Sequence, residues 1–102
     1  MANPLVSVII PTFNRSALLA AAIDSVRAQT YAPIEIIVVD DGCTDDTSKV
    51  LRRSGPGIRA VRQDNAGPAA ARNRGLAHAR GEIIMFLDSD VVYPITPAAP
   101  YL

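Results

Sequence analysis

Asp88-Ser89-Asp90 directly follows an apolar run. Two carboxylates flanking one small residue can reach a hard divalent cation and a nearby polar ligand together. Mg²⁺ or Mn²⁺ suits them, because such ions take oxygen ligands and complete their shells with phosphate and water. Asp and Ser are also ordinary turn residues, so the motif alone reads equally as a turn. Asp40-Asp41-Gly42 follows a second apolar run. Its plain reading is Asp-Gly turn chemistry before a helix cap at Thr44 or Asp45. Adjacent carboxylates repel, however, so one of them needs a partner, and a carboxylate there can accept N–H bonds from a base or hydroxyls from a ribose. Arg72 can bring a planar fork to a phosphate or a base, whereas Arg74 and His78 read as solvated surface groups. The Asn65-Ala66-Gly67-Pro68 turn offers helix N-terminal amides, an unspecific anion site. Cys43 lies beside a predicted helix N-terminus, which can lower a thiol pKa, but no base stands near it in sequence and it reads as a small turn residue.

These groups need elements to bring them together. Four runs rich in Val and Ile read as strands: Val6–Ile10 ending at Pro11, Ile34–Val39, Ile58–Arg62 and Ile83–Leu87. The first, second and fourth are nearly continuously apolar, as strands covered on both faces are; the third alternates and belongs nearer an edge. Leu19, Ile23 and Val26 recur at helical spacing, with Leu18 and Ala22 widening the stripe and Asn14 or Ser16 available as cap. A second helix carries Val50 and Leu51 and stops at Ser54-Gly55-Pro56-Gly57. A third starts at Pro68, runs through the Ala-rich 69–79 and ends at Gly81. The order is βαβαβαβ, which predicts an α/β fold with a parallel sheet, right-handed crossovers and helices on both faces. All strand C-termini then share one rim, and Thr12-Phe13-Asn14, Asp40-Asp41-Gly42, Asp64-Asn65 and Asp88-Ser89-Asp90 converge on it.

Bulk properties narrow the partners. Apolar residues at 49% and charged residues at 20% are the balance of a globular domain, not of a disordered chain. A net charge of zero gives no electrostatic case for nucleic acid or an anionic membrane. No apolar run approaches a bilayer span, and Met1-Ala2-Asn3-Pro4 has no signal-peptide character. The single cysteine excludes an internal disulfide and fits a cytoplasmic setting, including the cytoplasmic face of a membrane. There is no G-x-G-x-x-G or Walker A pattern, which argues against a dinucleotide-binding oxidoreductase and a P-loop NTPase. From Val91 to Leu102 the chain has no charge and carries Pro94, Pro97 and Pro100, so residues 91–102 read as an extended tail after a domain of residues 1–90.

Five ordered segments resemble the inverting glycosyltransferases of family 2, which have the GT-A fold. They are Val6-Ser7-Val8-Ile9-Ile10-Pro11-Thr12-Phe13-Asn14-Arg15, Ser25–Tyr31, Glu35–Asp45, Asn65–Gly75 and Gly81–Asp90. The departure is Cys43, where the family usually has Ser. The resemblance implies the nucleotide-sugar-binding half of a partial GT-A domain, truncated after the D-x-D motif, and a hexosyltransferase-type enzyme. Pro11, Thr12 and Phe13 line the nucleoside pocket in this reading, with Phe13 against the base. Asp41 binds the base edge and Asp40 supports that loop. Arg72 and Ser89 lie near the nucleotide, Asp88 contacts the ribose or the metal's surroundings, and Asp90 ligates the metal on the diphosphate. The donor implied is a nucleotide-diphosphate sugar, most often UDP-linked, with Mg²⁺ or Mn²⁺ as cofactor.

The family's general base and acceptor pocket follow the D-x-D motif, so the expectation is a chain with no catalytic residue of its own, binding donor weakly and transferring no sugar. Uncovered apolar surface then predicts self-association. A non-catalytic remnant or assembly piece is the alternative reading. A receiver-like phosphotransfer module also places Asp-Asp after a strand, but it needs a late rim lysine, and the only lysine is Lys49 in the second helix.

Overall fold

Val and Ile dominate the strand runs because their branched side chains fit a pleated, covered surface. The computed structural model describes residues 3–89 and forms from them β1 (Val6–Thr12), α1 (Ser16–Arg27), β2 (Ile34–Asp41), α2 (Thr47–Arg53), β3 (Ile58–Gln63), α3 (Pro68–His78) and β4 (Ile83–Phe86). Asp90 and the 91–102 segment lie outside the described residues. All pairings are parallel, in the order β3-β2-β1-β4. The alternating β3 is an edge strand, as its pattern predicts.

The chain winds outward from β1 through β2 to β3, then crosses back to place β4 on the other side of β1. Right-handed crossovers in opposite directions put helices on opposite faces. On one face, Val6, Val8, Ile10, Ile36 and Val38 pack with Leu19, Ala22, Ile23 and Val26 of α1, joined by Val50 and Leu51 of α2. On the other, Ile9, Ile37, Val39 and Val61 pack with Ala71 of α3. Gly75 allows that second contact, since a Cβ there would stand 2.4 Å from Ile9 Cγ2 and 3.1 Å from Val39 Cγ2.

Several sequence expectations change. β1 continues through Pro11 to Thr12. Leu87 N–H donates to Ile9 O, so Pro11, two residues on, faces the same β4 side beyond the last paired residue of β4. Its missing N–H costs no ladder bond there. Leu18 is 46% exposed and leaves the α1 stripe, which centres on Leu19, Ile23 and Val26. Neither Asn14 nor Ser16 caps α1; Arg15 holds the N-cap position without a side-chain bond. The cap comes from Asp45, whose carboxylate accepts the Ser16 N–H at 3.0 Å. Asp45 also accepts the Thr47 N–H and hydroxyl at the start of α2, where Asp46 is the N-cap residue.

Gly81 does not end α3, which stops at His78. Gly81 is needed for contact instead: a Cβ would stand 2.5 Å from Ser7 Oγ and 2.7 Å from Leu5 O. Its N–H donates to Ser7 Oγ, and Ser7 in turn donates to Glu35, which also accepts the Arg80 N–H at 2.7 Å. Burial pushes the Glu35 pKa up, but the Ser7 and Arg80 hydrogen bonds and the charges of Arg59 and Arg80 outweigh it and leave the pKa lowered. This network ties the N-terminal edges of β1 and β2 to the α3–β4 connection. It stands at the sheet end away from the convergent rim.

Candidate functional site

The strand order makes the rim between β1 and β4 the topological switch point, where loops diverge and leave a crevice. A cleft of about 500 Å³ opens there. Pro11, Thr12 and Phe13 of the β1 end form one wall, Asp88 and Ser89 after β4 another. Asp41 closes the back from β2, Asn65 and Gly67 come from the β3–α3 loop, and Pro68, Ala71 and Arg72 from α3. Arg15 also lines the cleft; its place just past the β1 end was the sequence signal for it.

Each expected residue has a distinct situation. Phe13 is 48% exposed, its ring half open to the cleft. Thr12 lines the cleft and is 2% exposed, and its buried Oγ1 has no hydrogen-bond partner among the described residues. Leaving such a group unpaired costs about 1–3 kcal/mol. Ser89 is buried. Asp40 does not line the cleft: it stands behind the wall, buried, accepting the Cys43 N–H at 2.8 Å and an Arg62 N–H at 2.8 Å. Arg62 also donates to Cys43 O, which locks the turn after β2.

Asp41 is the most heavily bonded of the group. Its Oδ1 accepts Gln63 Nε2 at 2.9 Å and the Ala66 N–H at 2.8 Å. Its Oδ2 accepts the Gly67 N–H at 3.1 Å, with Asn65 Nδ2 at 3.4 Å. Burial raises its pKa, but the bonds from Gln63, Ala66 and Gly67 outweigh that and hold it below the ordinary carboxylate range. The anion bound by the turn before α3 is thus the chain's own Asp41, and Pro68 brings no N–H. Asp64, expected on the rim, is exposed and does not line the cleft.

Arg72 and Asp88 approach each other across the cleft at 3.7 Å. Arg74 is exposed, as expected, and His78 is partly buried with its carbonyl accepting an Arg59 N–H. Cys43 is buried, and burial raises its pKa, the opposite of an activating helix terminus. The thiol holds the rim together, accepting the Asn14 N–H at 3.3 Å and donating to Thr12 O at 3.4 Å. Asn14, at φ 51°, accepts the Thr44 N–H at 2.8 Å. With the Asp45–Ser16 bond, these contacts clasp the β1–α1 loop to the β2–α2 loop.

A divalent cation suits what Asp88 offers. Its carboxylate, 62% exposed at the cleft, is a hard oxygen donor. Among the described residues no three His, Cys, Asp or Glu side chains cluster. Such a donor set fits an ion that draws most of its shell from diphosphate and water.

A parallel α/β sheet of order β3-β2-β1-β4, with flanking helices and a cleft at the β1/β4 switch point, is a Rossmann-like architecture consistent with a partial GT-A fold. The chain belongs to glycosyl transferase family 2, whose family model matches residues 7–96. An uncharacterized glycosyltransferase of Rickettsia felis is 47% identical over 90 residues, covering 86% of this chain and 15% of that protein. The structure of a Pyrobaculum calidifontis mannosyltransferase in complex with GDP-Man and Mn²⁺ superposes with TM-score 0.85 and 35% identity, over 91% of this chain and 29% of that one. A Mycobacterium tuberculosis glucosyl-3-phosphoglycerate synthase bound to Mn²⁺, UDP and glucosyl-3-phosphoglycerate gives TM-score 0.78 at 32% identity, over 97% and 38%. The chain therefore spans well under half the length of these relatives. No helix among the described residues is long and apolar enough to cross a membrane.

Proposed function

We propose that this chain is the donor-binding part of an inverting glycosyltransferase, holding a nucleotide-diphosphate sugar, UDP-linked in the first instance, with Mn²⁺ or Mg²⁺ for transfer to an acceptor hydroxyl. The observation that carries it is Thr12, a residue on the wall of the cleft at the sheet's switch point whose buried hydroxyl has no partner among the described residues. In this reading the base lies against Phe13, between Pro11 and the Asp41 loop. Asp41 Oδ2 is its less committed oxygen, because Asn65 stands 3.4 Å away, and a base N–H can take that place. Asp40 acts from behind by fixing the turn. Arg72, Asp88 and Ser89 face the ribose and diphosphate, and Asp90, outside the described residues, joins Asp88 as metal ligand.

A bound divalent cation neutralises charge that develops on the departing diphosphate. The chain's own residues bind and orient the donor. An acceptor hydroxyl needs a general base. Of the described cleft carboxylates, Asp41 is committed to four donors and Asp88 faces Arg72. In this reading none of the described cleft residues serves as the base, and these 102 residues by themselves bind donor without transferring sugar.

The test is calorimetric titration of the chain with UDP, with and without Mn²⁺, for wild type, Thr12→Val and Asp88→Ala. Loss of the hydroxyl weakens UDP by roughly threefold to tenfold, the worth of one hydrogen bond. Asp88→Ala reduces the gain that Mn²⁺ confers. Equal UDP binding by wild type and Thr12→Val, with no effect of metal on either, defeats the reading, as does sugar transfer by the chain alone.

A further inference from the structure

Phe13 is the cleft residue that core packing secures least, because its ring is 48% exposed. A side chain so placed takes its direction from its own backbone, through the Cα–Cβ bond. The peptide planes on either side of Cα set that bond. The plane before Phe13 carries Thr12 O, and the plane after it carries the Asn14 N–H.

One sulfur holds both planes. The Cys43 thiol donates to Thr12 O at 3.4 Å, and Cys43 Sγ accepts the Asn14 N–H at 3.3 Å. That double role needs a protonated thiol, and burial raises its pKa. The sulfur is anchored in turn: the Cys43 N–H donates to Asp40 at 2.8 Å, and the Cys43 carbonyl accepts an Arg62 N–H at 3.1 Å. Asn14 adds a second hold. Its φ of 51° lies in the left-handed region, which Asn tolerates better than most side chains, and its Oδ1 accepts the Thr44 N–H at 2.8 Å. On the other side of Phe13, Thr12 lines the cleft, and its buried hydroxyl has no partner among the described residues. The bonds therefore act on the stretch of β1 that forms the cleft wall.

We infer that Cys43 and Asn14 are positioning residues for the donor, which together aim the Phe13 ring at the base. This rests on the donor-site reading proposed above. Neither residue lines the cleft, so their influence on a nucleotide passes through the wall they hold.

The test uses the full chain labelled with para-fluorophenylalanine at its two phenylalanines, Phe13 and Phe86, followed by fluorine NMR and titrated with UDP and Mn²⁺. Phe86→Leu identifies the lines, and circular dichroism checks each variant. In Asn14→Gly, which keeps the left-handed turn, and in Cys43→Ala, the Phe13 line shifts and the Phe86 line stays. UDP binds more weakly in each, by roughly threefold to tenfold, a part of the worth of one stacked base. Cys43→Ser keeps a donor and an acceptor and behaves as wild type. Glu35→Gln, in the network at the other end of the sheet, lowers stability but moves neither the Phe13 line nor the UDP affinity. That control separates aim from general loosening. An unmoved Phe13 line in both Asn14→Gly and Cys43→Ala overturns the inference. So does an equal shift in Glu35→Gln, a Cys43→Ser variant no better than Cys43→Ala, or unchanged UDP affinity where the line has moved. With wild type binding UDP, each of these leaves the donor site standing. Failure of wild type to bind UDP with Mn²⁺ overturns both.

Discussion

Replacing Asp41 by Asn keeps the shape of the side chain and removes its charge. In the native chain this buried carboxylate gathers Gln63, Ala66 and Gly67, with Asn65 farther off. An amide can keep one oxygen toward Gln63 and Ala66, now as neutral hydrogen bonds of about half the strength. Its NH₂ then faces the Gly67 N–H, donor against donor, and an unsatisfied buried donor costs about 1–3 kcal/mol. Together the change destabilises by about 2–4 kcal/mol, a large part of what a domain of this size has. In urea followed by circular dichroism the midpoint falls by about 1–2 M.

The pH dependence carries a sign. Asp41 has a folded pKa below its unfolded value, so its contribution is complete above the unfolded pKa, about 4, and is lost as pH falls through the folded pKa. Asn carries no proton. The gap between wild type and variant is therefore widest near neutrality and narrows below about pH 4. A gap that stays constant from pH 7 to pH 3, or one under about 0.5 kcal/mol, refutes the account of Asp41 as the charged centre of its loop.

Gly75→Ala drives a methyl into Ile9 and Val39, and overpacking of that kind costs about 1–3 kcal/mol, read as a lower thermal midpoint; Arg74→Ala, on the exposed side of the same helix, leaves the midpoint within error. Glu35→Gln lowers stability by about 1–2 kcal/mol at neutral pH and less in acid, because the lowered Glu35 pKa makes its contribution fade as pH falls; urea melts at pH 7 and pH 3 check it. Phe13→Ala changes stability by no more than about 0.5 kcal/mol, since the ring is half exposed, yet weakens UDP by about 1–3 kcal/mol if the base stacks there, as calorimetry would show.

Strand positions, the edge place of β3 and the convergence of Thr12, Asp41 and Asp88 on one rim were legible, because apolar runs and a βαβ order constrain them strongly. What the sequence concealed were contacts between distant residues. The repulsion of Asp40 and Asp41 predicted a partner; both have one, but that Arg62 serves Asp40 and the 63–67 loop serves Asp41 depends on where β3 ends. Asp45 caps a helix 29 positions earlier, which no local cap pattern can reveal. Gly81 looks like a helix stop in one dimension and is a close packing point in three.

The clasp between Asn14, Cys43, Thr44 and Asp45 has a consequence for the timing of disorder. Two loops from separate crossovers give up their freedom during folding, before any ligand arrives. A nucleotide meeting Phe13 then immobilises a ring with two torsions and not a wandering segment, so little of its binding energy is spent on ordering the protein. The same tie makes the β2–α2 loop a lever on the β1 wall of the cleft. A residue inserted near Thr44 would move Phe13 without touching it.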